Sequence, residues 1–173
     1  MISSLKSENL ETFSVYKFSI EYPPVCRVEF NPKSRREGGD IVFHFPDKEK
    51  IYISWGDLEV AKKRFQTPEN QAEEGIKRIM KGRTVNMKES QRVPQEPLKV
   101  NTHKAVCNRV KLGEMLPGLF FSKKRMVTRE AISVHLHCED TSRYFVIYSL
   151  LSPNAPEDFG TLLFTMARSF KCH

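Results

Sequence analysis

The sequence of 173 residues contains no run of about eighteen apolar residues, which excludes a membrane-spanning helix. Its first residues have neither the basic segment nor the apolar segment of a secretory signal, so we expect a cytoplasmic protein. The four cysteines include no C-x-x-C pair, which excludes a zinc ribbon and a thioredoxin-like motif. In a reducing compartment we therefore expect free thiols and no disulfides.

Sequence signatures of catalysis are also missing. There is no G-x-S-x-G elbow, no P-loop and no G-x-G-x-x-G after a predicted strand. The segment "EGGD" is typical of a turn, and carboxylates such as Glu130 and Glu139 form no pair that would suggest acid–base chemistry. We therefore predict a protein that is not an enzyme and that needs no cofactor.

Charge and apolar content define the broad class of protein. Lys and Arg number 28 against 21 Asp and Glu, which gives a formal net charge of +7 and a pI of about 9.3. A basic protein favours acidic partners, which include nucleic acid, an anionic membrane surface and an acidic protein surface. Hydrophobic residues make up 39% of the chain, which indicates a single globular domain over residues 1–173.

Positive charge is concentrated in three places, which are the candidate binding residues. The first basic cluster is Lys33, Arg35 and Arg36, the second is Lys62, Lys63 and Arg64, and the third is Lys123, Lys124 and Arg125. Such runs are often only solvated surface, but together they could form an electropositive patch. Phe121, beside the third cluster, could stack on nucleic-acid bases, anchor a protein partner, or pack with its loop onto the core.

Alternating apolar residues predict two groups of strands separated by helices. The predicted strands cover residues 16–22, 26–30, 41–45, 51–55, 84–93, 100–112, 126–138 and 143–151. Asp57 is placed to cap a short helix through Phe65, and apolar spacing predicts a second helix over residues 68–81. A last helix is expected to begin at Pro156, with two acidic residues in its first turn. This order predicts an α+β fold, an antiparallel β-sheet flanked by helices in an α-β-α sandwich.

Both ends of the chain resemble a known family. The opening "YKFSIEYPPVCRVEF" is similar to the start of PsbP-like domains, and "RYFVIYSLLSPNAPEDFGTLLFTMARSF" resembles their final strand, loop and helix. Those domains share their fold with the Ran-binding Mog proteins, so the resemblance implies an antiparallel sheet flanked by helices. It also implies action by protein binding, without catalytic residues. The chain departs from the family at Val25 and Cys26, where such domains often carry Trp.

These observations lead to one expected function and two alternatives. We expect a small intracellular, non-catalytic binding module that engages an acidic protein partner. The first alternative is binding of single-stranded RNA or DNA through the basic clusters, with an affinity that falls steeply as salt rises. A small-molecule site between sheet and helix is the second alternative, and the sequence assigns no particular residue to it.

Two histidines share one face of a predicted strand. His135 and His137 are two residues apart, so their imidazoles lie on the same side. A turn at residues 139–142 places His137 opposite Tyr144 and His135 opposite Val146. We expect the helix over residues 68–81 to cover this face, with the imidazoles hydrogen-bonded at its margin and no room for a reactive hollow around them.

The same histidines raise the question of a metal site. A third ligand could come from His44, His103 or Cys107, each on a comparable face of a predicted strand. No spacing specifies which of them would join, and a structural zinc site requires four ligands. The sequence therefore predicts no metal site.

Overall fold

The structure is a computed structural model that describes residues 10–81, 85–94, 97–116 and 125–172. It begins with five strands, β1 (Glu11–Val15), β2 (Phe18–Tyr22), β3 (Arg27–Phe30), β4 (Gly39–His44) and β5 (Lys50–Asp57). Two helices follow, α1 (Leu58–Phe65) and α2 (Pro68–Met80). The remaining elements are β6 (Val85–Val93), β7 (Leu98–Val100), β8 (His103–Leu116), β9 (Arg125–Cys138), β10 (Arg143–Leu151), α3 (Phe159–Ser169) and β11 (Lys171–Cys172).

The strands form two sheets. The main sheet has the order β3-β4-β5-β10-β9-β8-β6, and β7 pairs with β8 beside this path. The small sheet has the order β1-β2-β11. Every pairing between the named strands is antiparallel, which confirms the predicted antiparallel α+β architecture. The predicted register between β9 and β10 is also confirmed, because His137 pairs with Tyr144 and His135 with Val146.

Side-chain caps determine where the first two helices begin. The Asp57 carboxylate accepts a hydrogen bond of 3.0 Å from the backbone N–H of Val60, as the sequence predicts. The Thr67 hydroxyl accepts one of 3.2 Å from the N–H of Asn70, and Pro68 takes the first helical position. Two adjacent helices therefore follow β5 directly and turn back over the sheet.

The first face of the main sheet, which carries Ile147 and Val134, contains the larger core. Phe18 of β2 is fully buried there, with its ring centroid 5.1 Å from Trp55, 5.3 Å from Phe145 and 5.6 Å from Phe170. Because the small sheet and α3 cover this face together, the finer prediction of an α-β-α sandwich is not confirmed.

The second face of the main sheet carries the histidine pair, and in the described ranges of the chain it is covered by helices. Helix α2 packs on β8 and β9, whereas α1 packs on β5 and β10. Ile76 of α2 forms a small second core with Val110, Leu112 and Ala131. None of the helices in the described residues is both long and apolar enough to cross a membrane.

Two elements differ from the prediction for local reasons. Tyr16 and Lys17, predicted in a strand, have φ values of +47° and +63° and form a tight turn, so an unpredicted strand β1 precedes it. Helix α3 begins at Phe159, after a turn in which the N–H of Phe159 donates to the carbonyl of Pro156 at 3.0 Å. The acidic residues predicted for its first turn therefore precede the helix.

We expect Phe18→Ala to lower the free energy of unfolding by about 3 to 5 kcal/mol, because the cavity lies among three aromatic rings. Urea denaturation followed by the fluorescence of Trp55, the single tryptophan, measures this loss. Phe164→Ala truncates a half-buried ring of α3 and serves as the control, with a smaller loss. Equal losses in the two variants would show that Phe18 is not central to the core.

Candidate functional site

A cleft of about 540 Å³ lies between α2 and the second face of the main sheet. We call it the α2 cleft and define it by Phe65, Ile76, Ile79, Val146 and Tyr148, which supply apolar walls. Its volume lies in the range typical of small-molecule sites. The cleft lies beside His135, whereas His137 is not part of its lining, so the cover by helices is incomplete on one side of the histidine pair.

The cleft exists because the helices cover the second face incompletely. Helix α2 packs on β8 and β9, and α1 reaches β10 only near its own end of the sheet. The side of α2 that faces His135 carries Gly75, which has no side chain. A Cβ atom placed there would have only one neighbour within 4 Å, the Cε1 atom of His135 at 3.9 Å. A larger residue would project into the cleft.

Both histidines are hydrogen-bonded on this face. The Nε2 atom of His137 lies 3.0 Å from Oε1 of Gln71 in α2, which confirms the expected bond at the helix margin. The Nε2 atom of His135 lies 3.0 Å from the hydroxyl of Ser133. Burial and, to a smaller extent, the nearby His137 lower the pKa of His135 to about 4, so His135 is neutral at pH 7.

The hydrogen-bond distance between Ser133 and His135 is the one expected for a catalytic nucleophile and its general base. The pair lacks the other properties that nucleophilic catalysis requires. A base with a pKa of about 4 accepts a proton from a hydroxyl poorly at neutral pH. The Nδ1 atom of His135 has no hydrogen-bond partner among the described residues, so no third group orients the ring. The hydrogen bond therefore positions these side chains without activating the serine.

Unpaired polar atoms lie in the wall of the α2 cleft. The buried Nδ1 of His135 and the buried Nδ2 of Asn108 have no partner in the part of the chain that the structure describes. Leaving such a group unpaired costs about 1 to 3 kcal/mol, which a ligand that reaches it can recover. The Asn108 amide can only donate through this atom, so it requires an acceptor.

The rim of the cleft is basic. The guanidinium of Arg64 lies 4.9 Å from the centroid of the Phe65 ring and is exposed. Arg78 is also exposed and has Glu74 at 4.0 Å, a single carboxylate beside two arginines. The cleft can therefore hold an apolar molecule whose acidic end remains at the rim.

The first and second basic clusters lie on either side of the turn at residues 139–142. The first is exposed in the loop between β3 and β4, where the carbonyl of Arg36 accepts a hydrogen bond of 3.3 Å from Arg143. In the second, Lys62 forms an ion pair of 2.8 Å with Glu139. The remaining members, Lys33, Arg35, Lys63 and Arg64, are exposed.

The third basic cluster does not join them. Its described member, Arg125, is exposed and pairs with Leu116 at the end of β9 that lies away from Cys138. Those two ends are about 40 Å apart at about 3.3 Å per residue. Phe121, Lys123 and Lys124 lie outside the described residues. The structure therefore does not bring Arg125 together with the other two clusters.

The residues considered as third metal ligands do not approach the histidine pair. His44 is the last residue of β4, two strands away from β10, with its Nε2 atom 3.0 Å from Glu29. Cys107 pairs with Val134 on the first face, and burial raises the pKa of its thiol to about 11. His103 contacts Cys172 instead, at 3.2 Å.

An unpredicted group of ligand atoms forms elsewhere. His103, Cys138 and Cys172 are the one set of three metal-binding side chains within the described residues whose ligand atoms all lie within 4.8 Å of one another. The hydrogen bond between the two thiols lowers the pKa of Cys138 and raises that of Cys172. The three residues come from distant parts of the sequence, so no motif spacing could have revealed them. All four cysteines are free.

Comparison with known proteins finds a shared fold without a shared sequence. No family model and no curated protein matches the chain. The solution structure of cyanobacterial PsbP (CyanoP) from Synechocystis sp. PCC 6803 is similar over 98% of this chain and 96% of that chain, with a TM-score of 0.52 and 11% identity. A crystal structure from Bacteroides thetaiotaomicron VPI-5482 matches 91% of this chain at 12% identity and a TM-score of 0.49, and this chain spans 45% of its length. The CyanoP comparison confirms the predicted PsbP-like fold, and at this identity it shows the fold alone.

We expect the burial of neutral His135 to make stability depend on pH. The unfolded chain protonates this residue near its ordinary pKa of about 6.5, whereas the folded chain does so only near pH 4. Stability is therefore lost as the pH falls, by about 2 to 3 kcal/mol between pH 7 and pH 4.5. Urea denaturation at the two pH values measures this loss.

The matched variants are His135→Gln and His44→Asn. The first removes the buried imidazole, so the loss between the two pH values should shrink by about the amount assigned to His135. The second removes an imidazole at the end of β4, outside the α2 cleft, and should leave the loss in place. An unchanged loss in His135→Gln would contradict the assignment.

Proposed function

We propose that this PsbP-like fold is a non-catalytic binding module of the cell interior, and that its ligand occupies the α2 cleft. The ligand class is a small, mainly apolar molecule with one acidic end. The observation that supports this proposal is the cleft itself, about 540 Å³ with apolar walls, a basic rim and unpaired polar atoms in its lining.

The apolar part of the ligand follows from the walls. Phe65, Ile76, Ile79 and Val146 line the space, and Ile79 is 40% exposed although it is a large apolar side chain. Covering such surface contributes about 25 cal/mol for each Å² removed from water. A flexible hydrocarbon chain or an aromatic ring would both gain in this way.

The acidic end follows from the rim. The two positive charges of Arg64 and Arg78 outnumber the single negative charge of Glu74 at the rim. The whole chain carries a net charge of +7. An anionic oxygen at the rim would form charge-assisted hydrogen bonds, and a second oxygen deeper in the cleft would accept from Asn108. The low pKa of His135 supports retention of a ligand without proton transfer.

We expect decanoate to bind to the cleft, with a matched pair of variants at Gly75 as the test. Gly75→Ala adds a methyl group at ordinary contact distance and should raise the free energy of unfolding by about 0.5 to 1 kcal/mol, because glycine disfavours a helix interior. This variant should still bind decanoate. Gly75→Leu fills the cleft and should weaken binding about tenfold or more. Isothermal titration calorimetry measures both affinities.

The acidic end is tested with decanol, which has the same chain without the charge. Arg78→Gln should weaken decanoate binding by a factor of about two to five, as expected for one exposed ion pair, and should leave decanol binding unchanged. If Gly75→Leu binds decanoate as the wild type does, the cleft is not the site.

The predicted acidic protein partner is a second candidate function, supported by a different observation. Lys33, Arg35 and Lys63 are exposed and lie at the same end of the main sheet, around the turn at residues 139–142. An acidic protein segment bound there would not enter the α2 cleft. The described basic residues give no comparable support to nucleic-acid binding, because Arg125 lies at the other end of the sheet.

For this candidate we expect a poly-glutamate peptide to bind, and the triple variant Lys33→Glu, Arg35→Glu, Arg36→Glu to abolish that binding. Arg125→Glu is the matched control and should retain it. Fluorescence anisotropy at several salt concentrations measures both peptide and single-stranded oligonucleotide. Tighter binding of the oligonucleotide, with a steep salt slope, would contradict the protein-partner candidate and favour the nucleic-acid alternative.

A further inference from the structure

Three separate segments of the chain meet at one end of the main sheet. His103 begins β8 after the turn from β7, Cys138 ends β9, and Cys172 belongs to the short strand β11. Their ligand atoms all lie within 4.8 Å of one another, and the Cys172 sulfur is 3.2 Å from the Nε2 atom of His103. Neither the α2 cleft nor the basic clusters include these residues.

The two cysteines are more deeply buried than the histidine. Cys138 is fully buried and Cys172 is 3% exposed, whereas the side chain of His103 is 14% exposed. The sulfur atoms are thus protected from water, and the imidazole lies between them and the solvent. An ion would enter from the histidine side.

Two thiolates and an imidazole are the ligands that zinc prefers in proteins. With Zn–S distances of about 2.3 Å and Zn–N distances of about 2.0 Å, tetrahedral ligands lie roughly 3.5 to 3.8 Å apart. Atoms already within 4.8 Å of one another need only small side-chain shifts to reach that arrangement. The carboxylate of Asp140 lies 3.9 Å from the Nε2 atom of His103, but its side chain is 70% exposed and does not belong to the set of mutually close ligand atoms, so it would have to turn inward to join them.

We propose that His103, Cys138 and Cys172 bind a zinc ion, with Asp140 as the fourth ligand. This is a site of the Cys₂HisAsp type, and it departs from the prediction that the chain holds no metal. It is independent of the proposed function of the α2 cleft.

The charge of the surroundings supports this ligand set. Arg143 is 2% exposed, and no salt bridge joins it to a carboxylate of the described residues. Its guanidinium donates to the carbonyls of Tyr16 and Arg36 and interacts electrostatically with both thiols of the cluster. Zn²⁺ with two thiolates and one carboxylate carries a net charge of −1, which the buried Arg143 would balance.

Four protein ligands close the coordination sphere, so the site is structural and not catalytic. The ion would join the turn between β7 and β8, the end of β9 and the last strand of the small sheet. Metal binding should therefore stabilise the fold, as any ligand that binds only the folded state does.

The experiment is a titration of the reduced, metal-free full chain with Co²⁺, followed by competition with Zn²⁺. We expect one equivalent of Co²⁺ to bind and to give a thiolate-to-cobalt charge-transfer band with the intense visible bands of tetrahedral coordination. Zn²⁺ should displace it and raise the melting temperature. Cys172→Ala and His103→Ala should weaken Co²⁺ binding by about 100-fold or more, since even outer-sphere partners are worth 10- to 100-fold.

Cys26→Ala is the matched control, because it removes a thiol outside the cluster and should leave the spectrum unchanged. Asp140→Asn should keep the thiolate band and weaken binding about tenfold. Circular dichroism of the metal-free variants shows that each one folds. The proposal is overturned if the reduced wild type gives no charge-transfer band, or if Cys172→Ala binds Co²⁺ as the wild type does. A Cys138–Cys172 disulfide that persists under reducing conditions would also overturn it.

Discussion

The main sheet has two apolar faces, and the chain must cover both of them. Strand β10 makes this requirement plain, because Phe145 and Ile147 face one side while Val146 and Tyr148 face the other. The first face receives a helix and a second sheet, which together enclose a continuous core. Among the described residues, the second face receives α1 and α2, and their contacts leave part of β10 uncovered. The α2 cleft is the direct result of this difference.

Buried polar groups in this fold are accommodated in two ways. Arg143 keeps its charge, because backbone carbonyls accept from it and the rings of Phe18 and Phe145 lie 5.7 Å and 5.1 Å from its guanidinium carbon. His135 instead loses its charge through burial. The charged group lies next to the thiol cluster and the neutral one next to the cleft. The two faces of the sheet therefore differ in chemistry at this end of β9 and β10.

Much of the fold is readable from the sequence, because local patterns specify it. A run that is apolar on both faces, directly after the turn at residues 139–142, locates β10 to the residue, and the cap at Asp57 locates the start of α1. The turn at Tyr16 and Lys17 is not readable, since bulky residues seldom adopt positive φ and no turn motif marks them. Strand β1 is not predicted either, although its Phe13 and Val15 alternate with polar residues and pack against the core, because the alternation covers only five residues.

The candidate sites are less predictable, since they depend on tertiary contacts. The α2 cleft results from one glycine on the inner side of α2, and a glycine within a helical pattern gives no sign of which surface it will face. The thiol cluster combines residues from three segments whose spacing has no regularity. The register between β9 and β10 determines which residues lie opposite the two histidines, and it can be predicted from the turn between these strands. The approach of Cys172 to Cys138 depends instead on the packing of β11 against β2.

The pairing of β11 with β2 also determines when the chain can finish folding. The hydroxyl of Ser169 accepts from the N–H of Glu21, a contact that spans 148 positions, and Cys172 pairs with Phe18. The ring of Phe18 therefore remains without its full cover until β11, which lies about 150 positions later in the chain, has been made. Long-range pairing of this kind is slow to form and leaves apolar surface exposed to aggregation while the domain folds.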